Sequence, residues 1–241
     1  MKKINKILRG RKNIVFLDFE GTQRTSEMIA IGAISCSIDK DGTIKKYKKP
    51  FRMYVRSLSK VGPFVEKLTG ITDELLRKQA VSFSEAMVAL KKYVGLLWKK
   101  SLFVTFGNND MRILNQTISH NLKFPKEICE QIHQNYFDFA AFFNNYVKDD
   151  NGNNLSLVHS CELYGVELIG TPHDPANDAV HLALLYDAFV RKTDITTLRY
   201  EQVLFANKKM PEPVVEVMNR IKEGKTVTPE DFKEAVKNEL L

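Results

Sequence analysis

The sequence predicts an α/β domain built on a mixed sheet covered by helices, and three observations predict it. Two apolar, β-branched runs separated by turn residues open the chain. Stretches with helical spacing then alternate with short strand-like runs, and 241 residues at 44% hydrophobic content suffice for a buried core.

The first strand is read at Asn13–Asp18 (NIVFLD) and the second at Met28–Ile38 (MIAIGAISCSI), where apolar residues mostly alternate. Asp39-Lys40-Asp41-Gly42 supplies turn chemistry, so Thr43–Val55 returns as a third, antiparallel strand. Phe83–Leu97 carries apolar residues at 83, 86, 87, 90, 94 and 97, a helix stripe with Ser82 available as its cap. A fourth strand follows at Leu102–Phe106, a helix at Asp110–Leu122, another strand at Asn135–Phe139, and a helix at Leu155–Tyr164 closed by Gly165. Thr171–Ala176 reads as a polar loop, and Asp174-Pro175 as the cap and first residue of a helix reaching about Arg191. Three antiparallel strands followed by alternating helix and strand is the order of the ribonuclease-H-like fold. Residues 13–191 form this predicted domain. Residues 1–12, six of them basic, read as a frayed solubilising tail. Residues 192–241 read as an appendage of two or three helices, the last opened by Thr228-Pro229-Glu230. Such an appendage can serve as a substrate arm, a homodimer contact or a lid; packing against the domain is the plain reading.

Lys and Arg outnumber Asp and Glu by 36 to 29, giving a net charge of +7 and a pI near 9.2. That balance favours encounter with a polyanion without selecting a nuclease. Cys36, Cys129 and Cys161 are odd in number and form no CxxC pair, which disfavours a disulfide framework or zinc knot and points to a reducing, cytoplasmic setting. No apolar run is long enough for a membrane span and no cleavage site follows the basic start, so neither an anchor nor a signal peptide is expected.

Asp18 and Glu20 stand two apart at the end of the first strand, so both side chains leave one face of the sheet, about 6.5 to 7 Å apart along the backbone. Two carboxylates there repel unless a cation joins them, and hard oxygen ligands suit Mg²⁺ or Mn²⁺. With 29 acidic residues in 241, roughly three or four acid-x-acid pairs arise by chance; this pair is set apart by following the apolar run Ile14–Leu17, where a buried strand ends and a cleft can begin. Asp110 again follows an apolar strand at a helix start, where an aspartate is ordinarily a cap. His173 lies in a loop five residues before Asp178, which sits on the first turn of the next helix, a division that suits a proton acceptor and a rigid metal ligand. His159 and Cys161 lie on an amphipathic helix without a partner pair and read as packing, and Gly224-Lys225-Thr226 lacks the strand and first glycine of a phosphate loop.

Taken in order, these segments resemble the DEDDh exonucleases, relatives of the proofreading subunit of bacterial DNA polymerase III and of ribonuclease T. Phe16-Leu-Asp-Phe-Glu-Gly-Thr22 is similar to their first motif, Thr105-Phe-Gly-Asn-Asn-Asp110 to their second, and His173-Asp-Pro-Ala-Asn-Asp178-Ala179 to their third. Phe64-Val-Glu-Lys-Leu-Thr-Gly-Ile-Thr72 resembles the segment these enzymes place near the terminal nucleotide, and with Asp-Phe-Glu-Gly-Thr it looks closest to the small-RNA, histone-message and KapD-like branch. The resemblance covers residues 13 to 191. It implies two divalent ions, Mg²⁺ or Mn²⁺, one held by Asp18, Glu20 and Asp178 and the second by Asp18 and Asp110, with His173 taking the proton of the attacking water. It also implies a pocket for the last nucleotide shaped by Gly21, Thr22, Leu68 and Thr69. A cleft reaching a scissile phosphate needs an unpaired terminus, so a single-stranded 3′ end is the expected partner, RNA before DNA. Pro175 departs from the small residue common in the third motif, and nothing recognisable matches beyond residue 191. A proofreading subunit of a polymerase and a non-catalytic binding module are the alternative roles for the same fold.

Overall fold

The computed structural model describes residues 2–171, 173–206 and 210–240. Pro172 of the expected polar loop, Met1 of the basic segment, and residues 207–209 and Leu241 of the appendage lie outside the described residues. The chain divides into two compact units, Met1–Phe143 with Ser156–Thr193, and Asn144–Leu155 with Asp194–Leu241.

In the first unit the order is α1 (Lys2–Leu8), β1 (Asn13–Gly21), β2 (Met28–Ile38), β3 (Ile44–Tyr47), β4 (Phe51–Tyr54), α2 (Pro63–Thr69), α3 (Asp73–Gln79), α4 (Phe83–Val94), a 3₁₀ segment (Gly95–Lys100), β5 (Ser101–Thr105), α5 (Asn109–His120), α6 (Lys126–Gln134), β6 (Tyr136–Asp138), α7 (Phe139–Phe143), α8 (Leu157–Leu163) and α9 (Pro175–Arg191). The sheet runs β3-β2-β1-β5-β6, with β4 also on β2. β1 is antiparallel to β2 and parallel to β5, and β5 is parallel to β6. This is the mixed α/β sheet the sequence predicts.

Three local departures have physical causes. The single strand expected over 43–55 is two, because Pro50 has no N–H to give the ladder; β3 pairs with Cys36–Ile38 and β4 with Ala30–Ala33 of the same strand. The strand expected over 135–139 stops at Asp138, whose carboxylate accepts from Ala141 N (2.9 Å) and opens α7 instead. The described residues of the basic segment are not a frayed tail: α1 buries Ile4 and Leu8. Both touch the β2–β3 turn at Gly42, where φ is +90° and an added Cβ would come 3.1 Å from each side chain.

Alternation along β1 decides what each face meets. Val15, Leu17 and Phe19 join Phe83, Ala86, Met87 and Leu90 of α4 and Ile113 and Leu114 of α5 in one core cluster. Phe16 faces the other way onto Tyr186 of α9, ring centroids 5.4 Å apart. α9 is held there by Phe189, which meets Phe139 at 5.6 Å and Phe143 at 5.4 Å. Asp18 and Glu20 continue the α9-facing side of β1, so the same helix that covers Phe16 delivers its N-terminus to them. The capping box of α4, Ser82 with Glu85, forms as the sequence predicts. All three cysteines are free and buried, and burial pushes each thiol up to about 12.

The second unit carries α10 (Thr193–Phe205), α11 (Glu212–Lys222) and α12 (Pro229–Leu240). Its internal contacts include the ion pairs Arg199–Asp150 and Arg220–Asp231, each 2.8 Å. No helix among the described residues is long and apolar enough to cross a membrane.

Candidate active site

The site forms where β1 leaves the sheet. Asp18 pairs with Gly32 and Glu20 with Ala30 across β2, and both residues are half-buried, whereas the intervening Phe19 is buried. Asp110 comes from the second residue of α5 and is only 6% exposed. It does not cap its helix. Its Oδ1 accepts the Phe19 N–H at 2.7 Å, so α5 is tied to the backbone between the two β1 carboxylates. The turn before Asp110 is clamped in turn: Asp138 accepts from Gly107 N (3.1 Å), and Thr105 and Tyr136 both donate to the Gly107 carbonyl (2.6 and 2.9 Å).

From α9 comes Asp178, and from the loop before it His173. One donor atom each from Glu20, His173 and Asp178 lies within 4.8 Å of the others. The His173 backbone N–H also reaches the Asp178 carboxylate. His173 is exposed and adopts φ +61°, a left-handed conformation that non-glycine residues seldom take. Asp174 caps α9 through Ala176 N and Asn177 N (3.0 and 3.3 Å), as the sequence predicts, and also pairs with Arg52 of β4 at 2.5 Å.

The electrostatics follow from crowding acids into a partly dry cleft. Asp18 is raised well above the carboxylate range, first by burial and then by Asp110, Glu20 and Asp178. Glu20 is raised to about 8, by burial and then Asp178 and Asp110. Asp110 is raised to about 7 by burial, against the Phe19 N–H that favours its charged form. Asp178 is raised by burial and partly relieved by His181 and His173. Such a set resists full ionisation until positive charge enters. Its oxygen-rich, convergent donors fit a hard divalent cation.

Of the residues expected near the terminal nucleotide, Leu68 is exposed at 39%. Gly21 ends β1 beside Ile113, whose side chain would meet an added Cβ at 2.9 Å. Thr22 is buried, and its hydroxyl accepts from Glu27 N (3.0 Å). Thr69 likewise uses its hydroxyl inside α2, donating to Val65 O (2.8 Å) and accepting from Ile71 N (3.1 Å). Those two hydroxyls are engaged in their own turns.

Gly32, Arg52, Asp138 and His181 also shape the site, outside the motifs that the sequence singles out. Gly32 had a signal, a glycine inside a strand. A Cβ there would fall 1.8 Å from the Pro175 carbonyl oxygen, so only glycine lets the first turn of α9 lie this close to β2. His181 also had one, standing three residues after Asp178 on the same helix face.

Fold and site together define a nuclease of the ribonuclease-H-like class. The exonuclease family model, RNase T, matches residues 15–186. The chain belongs to this exonuclease family, which implies divalent metal ions. Among solved structures it is similar to the nuclease domain of 3′hExo, a DEDDh family member, bound to rAMP (20% identity, 76% of this chain and 93% of that one, TM-score 0.60). It is similar also to cell-death related nuclease 4 (20% identity, 75% and 64%, TM-score 0.59). Against E. coli exonuclease I in complex with a dT13 oligonucleotide the figures are 17% identity, 76% and 42%, and TM-score 0.58. At these identities the likeness establishes the fold. Comparison with curated proteins gives no sequence match.

Proposed function

We propose that the protein removes nucleotides from the 3′ end of single-stranded nucleic acid, RNA in preference to DNA, releasing nucleoside 5′-monophosphates. The observation that carries this reading is the convergence of Glu20, Asp178 and His173 within 4.8 Å of one another, beside Asp18 and Asp110. Asp18, Glu20 and Asp178 would hold one divalent ion, and Asp18 with Asp110 a second, Mg²⁺ or Mn²⁺. When bound, such ions neutralise the carboxylates and the phosphate together and stabilise both attacking and leaving oxygens.

The chain's own groups supply the rest. His173, at the open side of the cleft, accepts the proton of the attacking water. The hydrogen bond from Phe19 N to Asp110 fixes the spacing between the β1 pair and α5. Exposed Leu68 offers an apolar face to the terminal base, on the helix whose start is tied to Gln23 through Phe64 N. The preference for RNA draws support from the likeness to a 3′-exonuclease recognising the histone mRNA stem-loop. Exonuclease I, also alike in fold, is seen with DNA.

The test is digestion of 5′-labelled single-stranded RNA and DNA of one sequence with Mg²⁺, Mn²⁺ or EDTA. A ladder shortening from the 3′ end, faster on RNA and abolished by chelation, is expected. Shortening from the 5′ end, or undiminished cleavage in EDTA, contradicts the reading.

A further inference from the structure

His181 is buried to 4% exposure and both of its ring nitrogens are occupied. Nε2 accepts the Ile169 backbone N–H at 2.9 Å. An acceptor nitrogen carries no proton, so the ring's proton sits on Nδ1, and Nδ1 stands 3.3 Å from Asp178 Oδ1. The imidazole therefore donates to the carboxylate in a single tautomer. A second contact fixes the backbone beneath it, since the His181 carbonyl accepts from Cys161 Sγ at 3.7 Å.

We propose that His181 is a positioning residue that sets the plane of the Asp178 carboxylate for divalent cation binding; the inference rests on the metal-site reading given above. An Asp178 side chain on the first turn of a helix can rotate about two bonds. Donation into Oδ1 from a ring that cannot itself turn removes that freedom before a cation arrives. Hydrogen-bonded partners of this kind are worth about 10- to 100-fold in metal affinity. The ring also joins Asp178 to Ile169, four residues ahead of His173, so one side chain ties the α9 carboxylate to the segment that leads into the histidine loop.

The two contacts can be separated. An asparagine amide falls where Nδ1 was and keeps a donor toward Asp178 while giving up Ile169. A glutamine amide reaches the Nε2 position and keeps an acceptor for Ile169 while giving up Asp178. Mn²⁺ titration by calorimetry on the full chain is expected to show His181→Asn within about threefold of the parent and His181→Gln weakened about 10- to 100-fold. Both should share the parent's melting temperature in EDTA to within a few degrees. Equal affinity in all three proteins, or equal weakening in both variants, overturns the proposal. Asp178→Asn serves as the control. If it binds Mn²⁺ as the parent does, the metal-site reading fails, and the positioning role with it. A measurement on the unmutated protein does not depend on variants folding: ¹⁵N shifts of the His181 ring at neutral pH in EDTA should show Nδ1 protonated and Nε2 bare. The opposite tautomer overturns the assignment.

Discussion

The carboxylate side and the histidine side of the site are built by opposite means. Asp18 and Glu20 extend a core strand, Asp110 is locked to the Phe19 backbone, and Asp178 is held by a buried imidazole. His173 stands on an exposed loop in a left-handed conformation. The acids thus share the rigidity of the fold and carry its strain as electrostatic repulsion. The histidine carries its strain locally in one φ angle and is free of the core. Mutations on the first side should therefore couple activity to stability, and mutations on the second should not.

The largest effect is expected from Asp18→Asn, which faces all three other acids. Digestion should fall to background, while the melting temperature in EDTA at pH 8 rises because a mutually repelling group has been removed. A lowered melting temperature would break the comparison at its strongest point. His173→Ala should lower kcat by about 10² to 10⁴. Its melting temperature should match the parent's, and a shift of several degrees would show that the loop is part of the core after all. Gly32→Ala forces the Pro175 backbone away from β2 and should cost about 1–3 kcal/mol. That corresponds to about 2–4 °C of melting temperature per kcal/mol in a protein of this size. Activity should fall with it, because α9 carries Asp178; differential scanning calorimetry beside the digestion assay reads both.

The smallest effect concerns Glu20 and has a defined pH window. Its carboxyl is raised in the fold from 4.5 to about 8, so the folded state favours the protonated form. The stability cost is absent below 4.5, grows as pH rises and is complete above about 8. Glu20→Gln should accordingly raise the melting temperature in EDTA by a few degrees at pH 8.5 and leave it unchanged at pH 4. A uniform shift at both values would place the effect in packing.

What the sequence disclosed and what it hid divide along local and non-local lines. Asp18-Phe-Glu20 at the end of an apolar run, and Asp174-Pro175 opening α9, are local patterns, and each stands where the residues predict. The break at Pro50 was equally local, though the alternation on either side concealed it. Gly32 could not be weighed without knowing that α9 crosses β2 at that point. His181 looked like one more residue of an apolar helix until Ile169 was seen to return to it. Likewise, nothing in residues 144–155 foretells that they group with Asp194–Leu241 rather than with the sheet. Asp110 shows the converse: its place at a helix start suggested a cap, and only the 2.7 Å bond to a strand 91 residues away reveals its other use.

The buried cysteines have a practical corollary. All three lie in the sheet-bearing unit, and the unit formed by residues 144–155 and 194–241 contains none. With each thiol shielded and raised to about 12, alkylating reagents should leave the native protein untouched at neutral pH. Thiol labelling then becomes a clock for the opening of the nuclease unit alone. Run beside circular dichroism, which registers every helix, it would tell whether the C-terminal helices melt with the catalytic body or independently of it.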